Sequence, residues 1–251
     1  MRRLCRLPLL FAALAAAPLV PLAAEESAET KVSADFAYAT SYVFRGLRLS
    51  SRTLQPAVTI EHGRWSGGVW TDLPTTKGEQ HEFDPWLFYS WEEDGTAWEA
   101  GAQYYYYPEA RGTDLRYSYE FSLGGSREVP WLAALPLTAG ATVYYDPRLE
   151  TLSLEGTLAH TISLGTERRP VDLTWSVFAG HVDARNIDPD DPGPKWRDAY
   201  RYYGAKAELS ITLAPRATLK LTGQWDDAVN ADPDQGGTRN LSGVFAFNWA
   251  W

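Results

Sequence analysis

The side chains of this sequence that could take part in acid–base catalysis are its histidines, His62, His81, His160 and His181. A hydrolase would need one of them within hydrogen-bond reach of a nucleophile and of a group that orients the ring. His160 lies among leucines in segment 149–164, whereas Ser153 and Ser163 fall on the opposite side of the alternating pattern. We therefore expect no enzymatic activity. A hydrolase in which a neighbouring segment brings a serine to His160 is the alternative.

Two acid-rich segments, 183–198 and 226–234, could bind a divalent cation, because carboxylate oxygens are ligands that Ca²⁺ prefers. Their spacing matches no EF-hand, and prolines interrupt both segments. We expect solvated surface charge there, with a divalent site that bridges to lipopolysaccharide phosphates as the alternative. The sequence contains no phosphate-binding glycine loop and no zinc-ligand spacing, so it predicts no cofactor and no resident metal.

Most of the other charged residues alternate with apolar ones along the chain, and among them acids outnumber bases. If these polar faces line a pore, they would set its ion selectivity, as rings of charge do in channels. The predicted pore-lining residues are Asp35, Arg45, Glu61, Arg64, Asp72, Glu99, Arg116, Glu120, Glu155, Asp172, Lys206, Glu208 and Lys220. This set favours a lumen with a weak preference for cations. Charges that pair across a packed interior, as buried charges usually do, are the alternative.

These charged positions belong to segments in which large apolar side chains alternate with polar ones, the period-two pattern of β-strands. The pattern is clearest at the C-terminus, where Leu241, Phe245 and Trp249 share one face while Ser242 and Asn248 share the other. A strand with one face toward lipid has this character. Twelve segments follow the pattern, at about 31–45, 54–61, 64–73, 82–92, 96–107, 115–124, 137–146, 149–164, 171–182, 200–213, 218–226 and 240–251.

The links between these segments sort by length. Most even-to-odd links are tight, such as 62–63 and 93–95, whereas the odd-to-even links include the longest, 184–199 and 227–239. Short turns on one side, longer loops on the other and an even strand count are typical of outer-membrane barrels with both chain ends in the periplasm. Tyrosine and tryptophan cluster near segment ends, as in interfacial girdles, which disfavours a soluble β protein. The sequence therefore predicts an all-β fold, a transmembrane antiparallel up-and-down β-barrel of about 12 strands.

The N-terminus has the form of a secretory signal peptide, with a basic head, an apolar run over 7–22 and a small-residue exit at Ala23 and Ala24. We expect cleavage after Ala24, so that residues 1–24 are the signal peptide and 25–251 are the barrel domain. Cys5, the only cysteine, would leave with the signal, and the mature chain would contain no disulfide. The net charge of −9 disfavours nucleic acid as a partner.

A short aromatic motif lies near the N-terminus of the predicted mature chain, where Tyr42, Phe44, Arg45 and Gly46 stand in the order Tyr-x-Phe-Arg-Gly. This motif resembles the opening strand of the TorF-type porins, a bacterial outer-membrane family. The resemblance extends over residues 31–125 and is weak beyond them. It implies an outer-membrane barrel for passive transport, and it implies no defined substrate.

Together these patterns predict a bacterial outer-membrane porin for the passive diffusion of small hydrophilic solutes. The expected partners are outer-membrane lipid and lipopolysaccharide, the barrel-assembly machinery through the C-terminal aromatic strand, and small polar solutes. A structural or adhesion barrel without an open pore is the main alternative, and a lipid-facing hydrolase is the other. Replacing both Glu120 and Glu155 by glutamine should lower the cation preference of such a pore.

Overall fold

The chain forms one closed barrel of antiparallel strands in a computed structural model that describes residues 29–111, 114–129, 135–186, 189–190, 195, 197–231 and 239–251. Each strand pairs with its neighbour in the sequence, and the last strand pairs with the first, which closes the sheet. Within these ranges no helix is long and apolar enough to cross a membrane. The predicted signal peptide, residues 1–24, lies outside the described residues.

Twelve strands make up the barrel, which confirms the predicted fold class and strand count. Their bounds are β1 Thr30–Phe44, β2 Leu47–His62, β3 Trp65–Pro74, β4 Glu82–Glu93, β5 Thr96–Tyr106, β6 Tyr117–Glu128, β7 Thr138–Asp146, β8 Thr151–Ser163, β9 Val171–Ala184, β10 Asp198–Ala214, β11 Ala217–Val229 and β12 Arg239–Ala250.

Most links at one end of the barrel are tight, and we call it the short-turn end, although the link 129–137 there is longer and the two-residue turn 45–46 lies at the opposite end. The links at 63–64, 94–95 and 215–216 lie at the short-turn end, together with the start of β1 and the end of β12. The opposite end, the long-loop end, carries the links 107–116, 185–197 and 230–238. This is the arrangement that the link lengths of the sequence predicted.

The two faces of the barrel wall have opposite chemistry. Apolar side chains on the outer face are well exposed, for example Leu241 at 79%, Phe36 at 62% and Leu154 at 54% relative exposure. Carboxylates on the inner face are buried, with Asp72 and Asp226 at 2% or less. A water-soluble protein would normally bury the first group and expose the second. The alternation of the sequence therefore folds into an apolar exterior around a polar interior.

Aromatic rings form a row on the outer face of β3 to β6 at each end, and we call each row an aromatic belt. At the short-turn end, Trp65 contacts Tyr89, and Trp91 continues the row to Trp98, with ring centroids 4.9 to 6.2 Å apart. At the long-loop end, Tyr104 stacks on a tyrosine of β6 at 5.7 Å. Trp98 and Tyr104 lie six residues apart on β5, which is about 20 Å along the strand at roughly 3.3 Å per residue.

The junction of β1 and β2 differs from the sequence prediction. We expected strand structure to resume at residue 54, but β2 begins at Leu47 after a two-residue turn formed by Arg45 and Gly46. Both turn residues have positive φ, 48° and 82°, as two-residue hairpins of the primed types require. The alternation is weak over 47–53, which is why the sequence alone read this segment as a loop.

The tip of this β1–β2 hairpin leaves the barrel wall. Pairing between β1 and β12 ends at Ala39 with Val244, and pairing between β2 and β3 begins only at Thr53 with Pro74. Residues 41–51, between these points, form ladder pairs with each other and not with β3 or β12. A register shift between Tyr42 and Val43 marks the point where the hairpin bends. We call residues 41–51 the inward hairpin.

Two further strands have different bounds from those predicted. The sequence placed the sixth strand at 115–124, but β6 starts later and runs on to Glu128, because residues 125–128 pair with the start of β7. The β9 and β10 strands are each longer than predicted at the long-loop end, because Ala184 pairs with Asp198. The loop between β9 and β10 is correspondingly shorter.

Candidate functional site

An arginine–glutamate pair lies in the middle of the barrel interior. Arg45, at the turn of the inward hairpin, donates from Nη1 to Glu120 Oε2 at 2.7 Å and from Nη2 to Oε1 at 2.8 Å. The guanidinium also lies over the rings of Tyr144 and Phe44, with distances of 4.2 and 4.6 Å to their centroids. Tyr105 donates its hydroxyl to Glu120 at 3.3 Å. The pair is thus bidentate, held between rings and largely shielded from water.

The residue next to Arg45 contacts the opposite wall. Asn240, on β12, donates its side-chain amide to the carbonyl oxygen of Gly46 at 2.9 Å. Glu120, the partner of Arg45, belongs to β6, and β6 and β12 are diametrically opposed in a ring of twelve strands. The turn of the inward hairpin therefore bridges the lumen from one side to the other.

Apolar contacts hold the hairpin against the wall at the long-loop end. Leu47 is buried in a small cluster on the inner face of β9, β10 and β11, in which Tyr202 is only 1% exposed. Tyr202 in turn donates its hydroxyl to Glu155 at 2.8 Å. The other members of the cluster are Val182, Ala184, Tyr200, Ala228 and Ala231. The tip is thus fixed by packing as well as by polar contacts.

Polar contacts fix the base of the hairpin to β3 and to the following loop. Ser50 donates its hydroxyl to Asp72 at 2.7 Å, and Gln55 donates its amide to the same carboxylate at 3.0 Å. Ser51 donates both its backbone N–H and its hydroxyl to Glu79, at 3.0 and 2.7 Å. The described hydrogen bonds to the carboxylates of Asp72 and Glu79 in this region therefore come from neutral donors.

Two cavities lie on either side of the Arg45–Glu120 pair. The larger, about 990 Å³, lies toward the short-turn end, where Arg64, Glu99 and Glu155 contribute to its lining. The smaller, about 310 Å³, lies toward the long-loop end and is lined in part by Leu149 and Asp198. Four residues line both cavities, namely Phe44, Arg45, Tyr105 and Glu120. The described part of the lumen is therefore divided at this pair.

The structure brings five of the predicted pore-lining residues together around the larger cavity, namely Arg45, Arg64, Glu99, Glu120 and Glu155. Seven others occupy positions that face the interior in the strand register, namely Asp35, Glu61, Asp72, Asp172, Lys206, Glu208 and Lys220. Arg116 precedes β6 at the long-loop end, where its backbone N–H lies 3.5 Å from Asp190 Oδ2. Whether this set lines a conducting pore stays a prediction.

Aromatic residues inside the barrel were not among the predicted site residues. Trp86 and Phe88 face the lumen from β4, and each ring lies over a glycine of an adjacent strand. A Cβ atom on Gly101 would lie 1.9 Å from the Phe88 ring, and one on Gly68 would lie 3.0 Å from the Trp86 ring. The sequence does contain a signal for this, since both rings share a strand face with the acidic residues Glu82 and Asp84.

The candidate catalytic histidine lies on the outside of the barrel. His160 Nδ1 donates to the carbonyl oxygen of Pro136 at 2.7 Å, and its ring contacts Trp175 at 5.9 Å. Ser153 and Ser163 lie on the inner face of the same strand, as the alternation predicted. Among the described residues, the contacts of this histidine are thus a carbonyl oxygen and an aromatic ring.

Two carboxylates of the acid-rich segments pair with arginines. Asp183 accepts from Arg197 at 2.9 Å, and Asp190 accepts from Arg148 at 2.5 Å. Across the described ranges, no group of three or more histidine, cysteine or acidic side chains is arranged to hold a metal ion. Asp188, Asp191 and segment 232–234 fall outside the described residues.

Comparison with known proteins identifies solved structures that have a similar fold. No protein-family model and no curated protein matches the chain. The NanC porin matches with a TM-score of 0.50 and 10% identity, over 87% of this chain and 98% of the porin. An outer membrane channel from Pseudomonas putida F1 matches with a TM-score of 0.52 and 10% identity, over 90% of this chain and 96% of the channel. The chain has the fold of these outer-membrane barrels. Membership of the TorF-type family stays a prediction.

Proposed function

We propose that this protein is a bacterial outer-membrane channel for the passive diffusion of small hydrophilic solutes. The observation that carries the proposal is the cavity of about 990 Å³, with charged and hydroxyl side chains in its lining, inside a closed barrel with an apolar exterior. Closure satisfies the backbone hydrogen bonds of every strand, which a hydrocarbon environment requires. The cavity reaches the middle of the barrel, so a solute that enters from the short-turn end would meet charged and hydroxyl side chains.

The outer face supports a position in the membrane. Aromatic rings flank the apolar outer face at both ends, as aromatic girdles flank the apolar band of a transmembrane barrel. Short turns would lie in the periplasm and the longer loops outside the cell, with both ends of the mature chain in the periplasm. Lipid and lipopolysaccharide would contact the exposed leucines and rings. The aromatic end of β12, with Trp251 62% exposed, would be presented to the barrel-assembly machinery.

The larger cavity supports a weak preference for cations. Arg45 and Glu120 neutralise each other, and Tyr202 is a neutral partner of Glu155. Among the other charged lining residues, Glu92 and Glu99 outnumber Arg64. A lumen with an excess of carboxylates attracts cations and repels anions.

A structural barrel without an open pore is the second candidate, and one specific observation favours it. The bridge from β6 to β12 through Arg45 and Gly46 crosses the lumen. In that case the acidic loops at the long-loop end would be the surface for adhesion. An enzymatic role is the least supported reading, because the described contacts of His160 are a carbonyl oxygen and an aromatic ring.

Ion conductance separates these candidates. We would refold the chain from residue 25 onward into planar bilayers and measure single-channel currents under a KCl gradient. Discrete steps with a cation-selective reversal potential are expected, and the Glu120→Gln/Glu155→Gln variant should lower that selectivity. Steps with anion selectivity would reject the cation preference and keep the channel. A barrel that inserts, shows heat-modifiable migration on a gel and carries no current would overturn the channel in favour of the structural barrel.

A further inference from the structure

We infer that the inward hairpin is the constriction of the lumen and that Arg45 is its charge-selecting residue. This inference rests on the proposed channel function and names the element that would determine which solutes pass. It also gives a physical role to the Tyr-x-Phe-Arg-Gly motif, whose residues occupy the end of β1 and the turn.

The first observation is the departure of the hairpin from the sheet. The ladder between β1 and β12 stops at Ala39, and the ladder between β2 and β3 starts only at Thr53. The residues between them would lengthen the barrel wall if they kept these pairings. Gly243 and Thr40 mark the point of departure, since the backbone N–H of Gly243 donates to the Thr40 hydroxyl at 2.8 Å instead of continuing the ladder.

The second observation is the shape of the bridge. Arg45 reaches Glu120 on β6 while the adjacent Gly46 accepts a hydrogen bond from Asn240 on the opposite wall. Arg45 and Glu120 line both cavities, so the guanidinium and its partner carboxylate lie at the boundary that separates one cavity from the other. The hairpin therefore places a charged pair at the boundary between the two cavities.

The third observation is the exclusion of water from the pair. The side chains of Arg45 and Glu120 are 10% and 8% exposed, and the guanidinium is covered by the rings of Phe44 and Tyr144. Charges in such surroundings are screened much less than charges in bulk water. Removing one member of the pair would leave the other as the dominant charge of the constriction, whereas removing both would leave the constriction neutral.

The test compares neutral variants of the pair by single-channel recording under a KCl gradient. Arg45→Gln should shift the reversal potential toward cation selectivity, because Glu120 loses its counter-charge. Glu120→Gln should shift it toward anion selectivity, because Arg45 is then unbalanced. Arg45→Lys keeps the charge but not the planar fork, so it should keep the sign of the wild-type selectivity. Arg185→Gln and Glu109→Gln, on exposed loops, are the matched controls. They should change neither the reversal potential nor the conductance.

Opposite shifts of the reversal potential in Arg45→Gln and Glu120→Gln are the decisive result. A pair that only stabilises the fold would shift the reversal potential of both variants in the same direction. Shifts of equal sign would overturn the role of Arg45 as selector.

The Arg45→Gln/Glu120→Gln variant contains no unpaired charge and keeps the test available if a single variant does not fold. It should conduct more than the wild type, with its reversal potential near the wild-type value. A conducting wild type whose pair variants leave conductance and selectivity unchanged would overturn the constriction while the channel stands. Silence in the wild type and in every variant would overturn the channel itself.

Discussion

Gly46 lies so close to Tyr202 that a Cβ atom built on the glycine would be 2.7 Å from the Cβ atom of the tyrosine. Ala228 approaches the same position at 3.1 Å. The contact requires a glycine for two reasons. A side chain would overlap Tyr202, and the φ of +82° lies in the left-handed region that favours glycine. The turn of the inward hairpin can therefore touch the β10–β11 wall only where the chain has no side chain.

The Gly46→Ala variant should move the hairpin tip away from Tyr202. We expect a loss of stability of about 1–3 kcal/mol from the left-handed backbone alone, and the steric overlap adds to it. The expected functional result is a higher single-channel conductance, because the tip cannot keep its position across the lumen. Urea titration in lipid vesicles and planar-bilayer recording would measure the two effects.

The matched control for this variant is Gly95→Ala in the turn between β4 and β5. Gly95 has a similar φ of +70°, but a Cβ atom there would meet nothing within 4 Å. Backbone strain is therefore common to both variants, while the overlap is specific to Gly46. Equal conductance changes in the two variants would rule out a special role for the contact with Tyr202.

The architecture could be predicted from the sequence because it depends on local patterns. Segment 218–226, for example, alternates Leu219 and Leu221 with Lys220 and Thr222, and β11 contains this segment in the predicted orientation. Strand alternation, turn residues and link lengths are all short-range features of the chain. The closed ring follows from them, since a sheet with an apolar exterior and no covered edge is stable in hydrocarbon only when it closes.

The inward hairpin could not be predicted in the same way. Its position depends on Glu120 and Asn240, which lie 75 and 194 residues away in the sequence from their partners Arg45 and Gly46. No local period reports such contacts. The same limit applies to the contact between Phe88 and Gly101, because the register that pairs them is not visible before the fold is known.

The Gly101→Ala variant should be destabilised by overlap with the Phe88 ring. A Cβ atom there would lie 1.9 Å from the ring, and overpacking of this kind costs about 1–3 kcal/mol. Gly223→Ala is the control, because a Cβ atom on Gly223 has open space around it. Combining Gly101→Ala with Phe88→Ala should recover part of the loss, because the two changes share one contact. Urea unfolding in vesicles would measure these variants together with Phe88→Ala alone, and simple additivity of the two single costs would exclude the contact.

Two neighbours on β8 test which face of the wall meets lipid. Leu158 lies on the outer face near the middle of the strand, whereas Thr157 contributes to the lining of the larger cavity. Leu158→Arg should lower the free energy of unfolding by about 2–4 kcal/mol, the cost of an arginine at the midplane of a lipid-facing strand. Thr157→Arg should cost less, because its guanidinium would reach water in the cavity. Urea titration in vesicles compares the two, and equal costs would contradict the membrane position.

A pH-dependent contact joins two loops at the long-loop end. Arg148 donates to Asp190 at 2.5 Å, and this hydrogen bond holds the pKa of the Asp190 carboxyl below its ordinary value. A carboxyl whose pKa is lowered by folding stabilises the folded contact above its ordinary pKa, near about 3.9. That contribution is lost as the pH falls through the lowered value. In Arg148→Gln, the pKa of Asp190 should therefore rise toward the ordinary value, as measured by carboxyl ¹³C NMR titration in detergent micelles. The same pKa in the variant and the wild type would show that the contact between the loops does not form in solution.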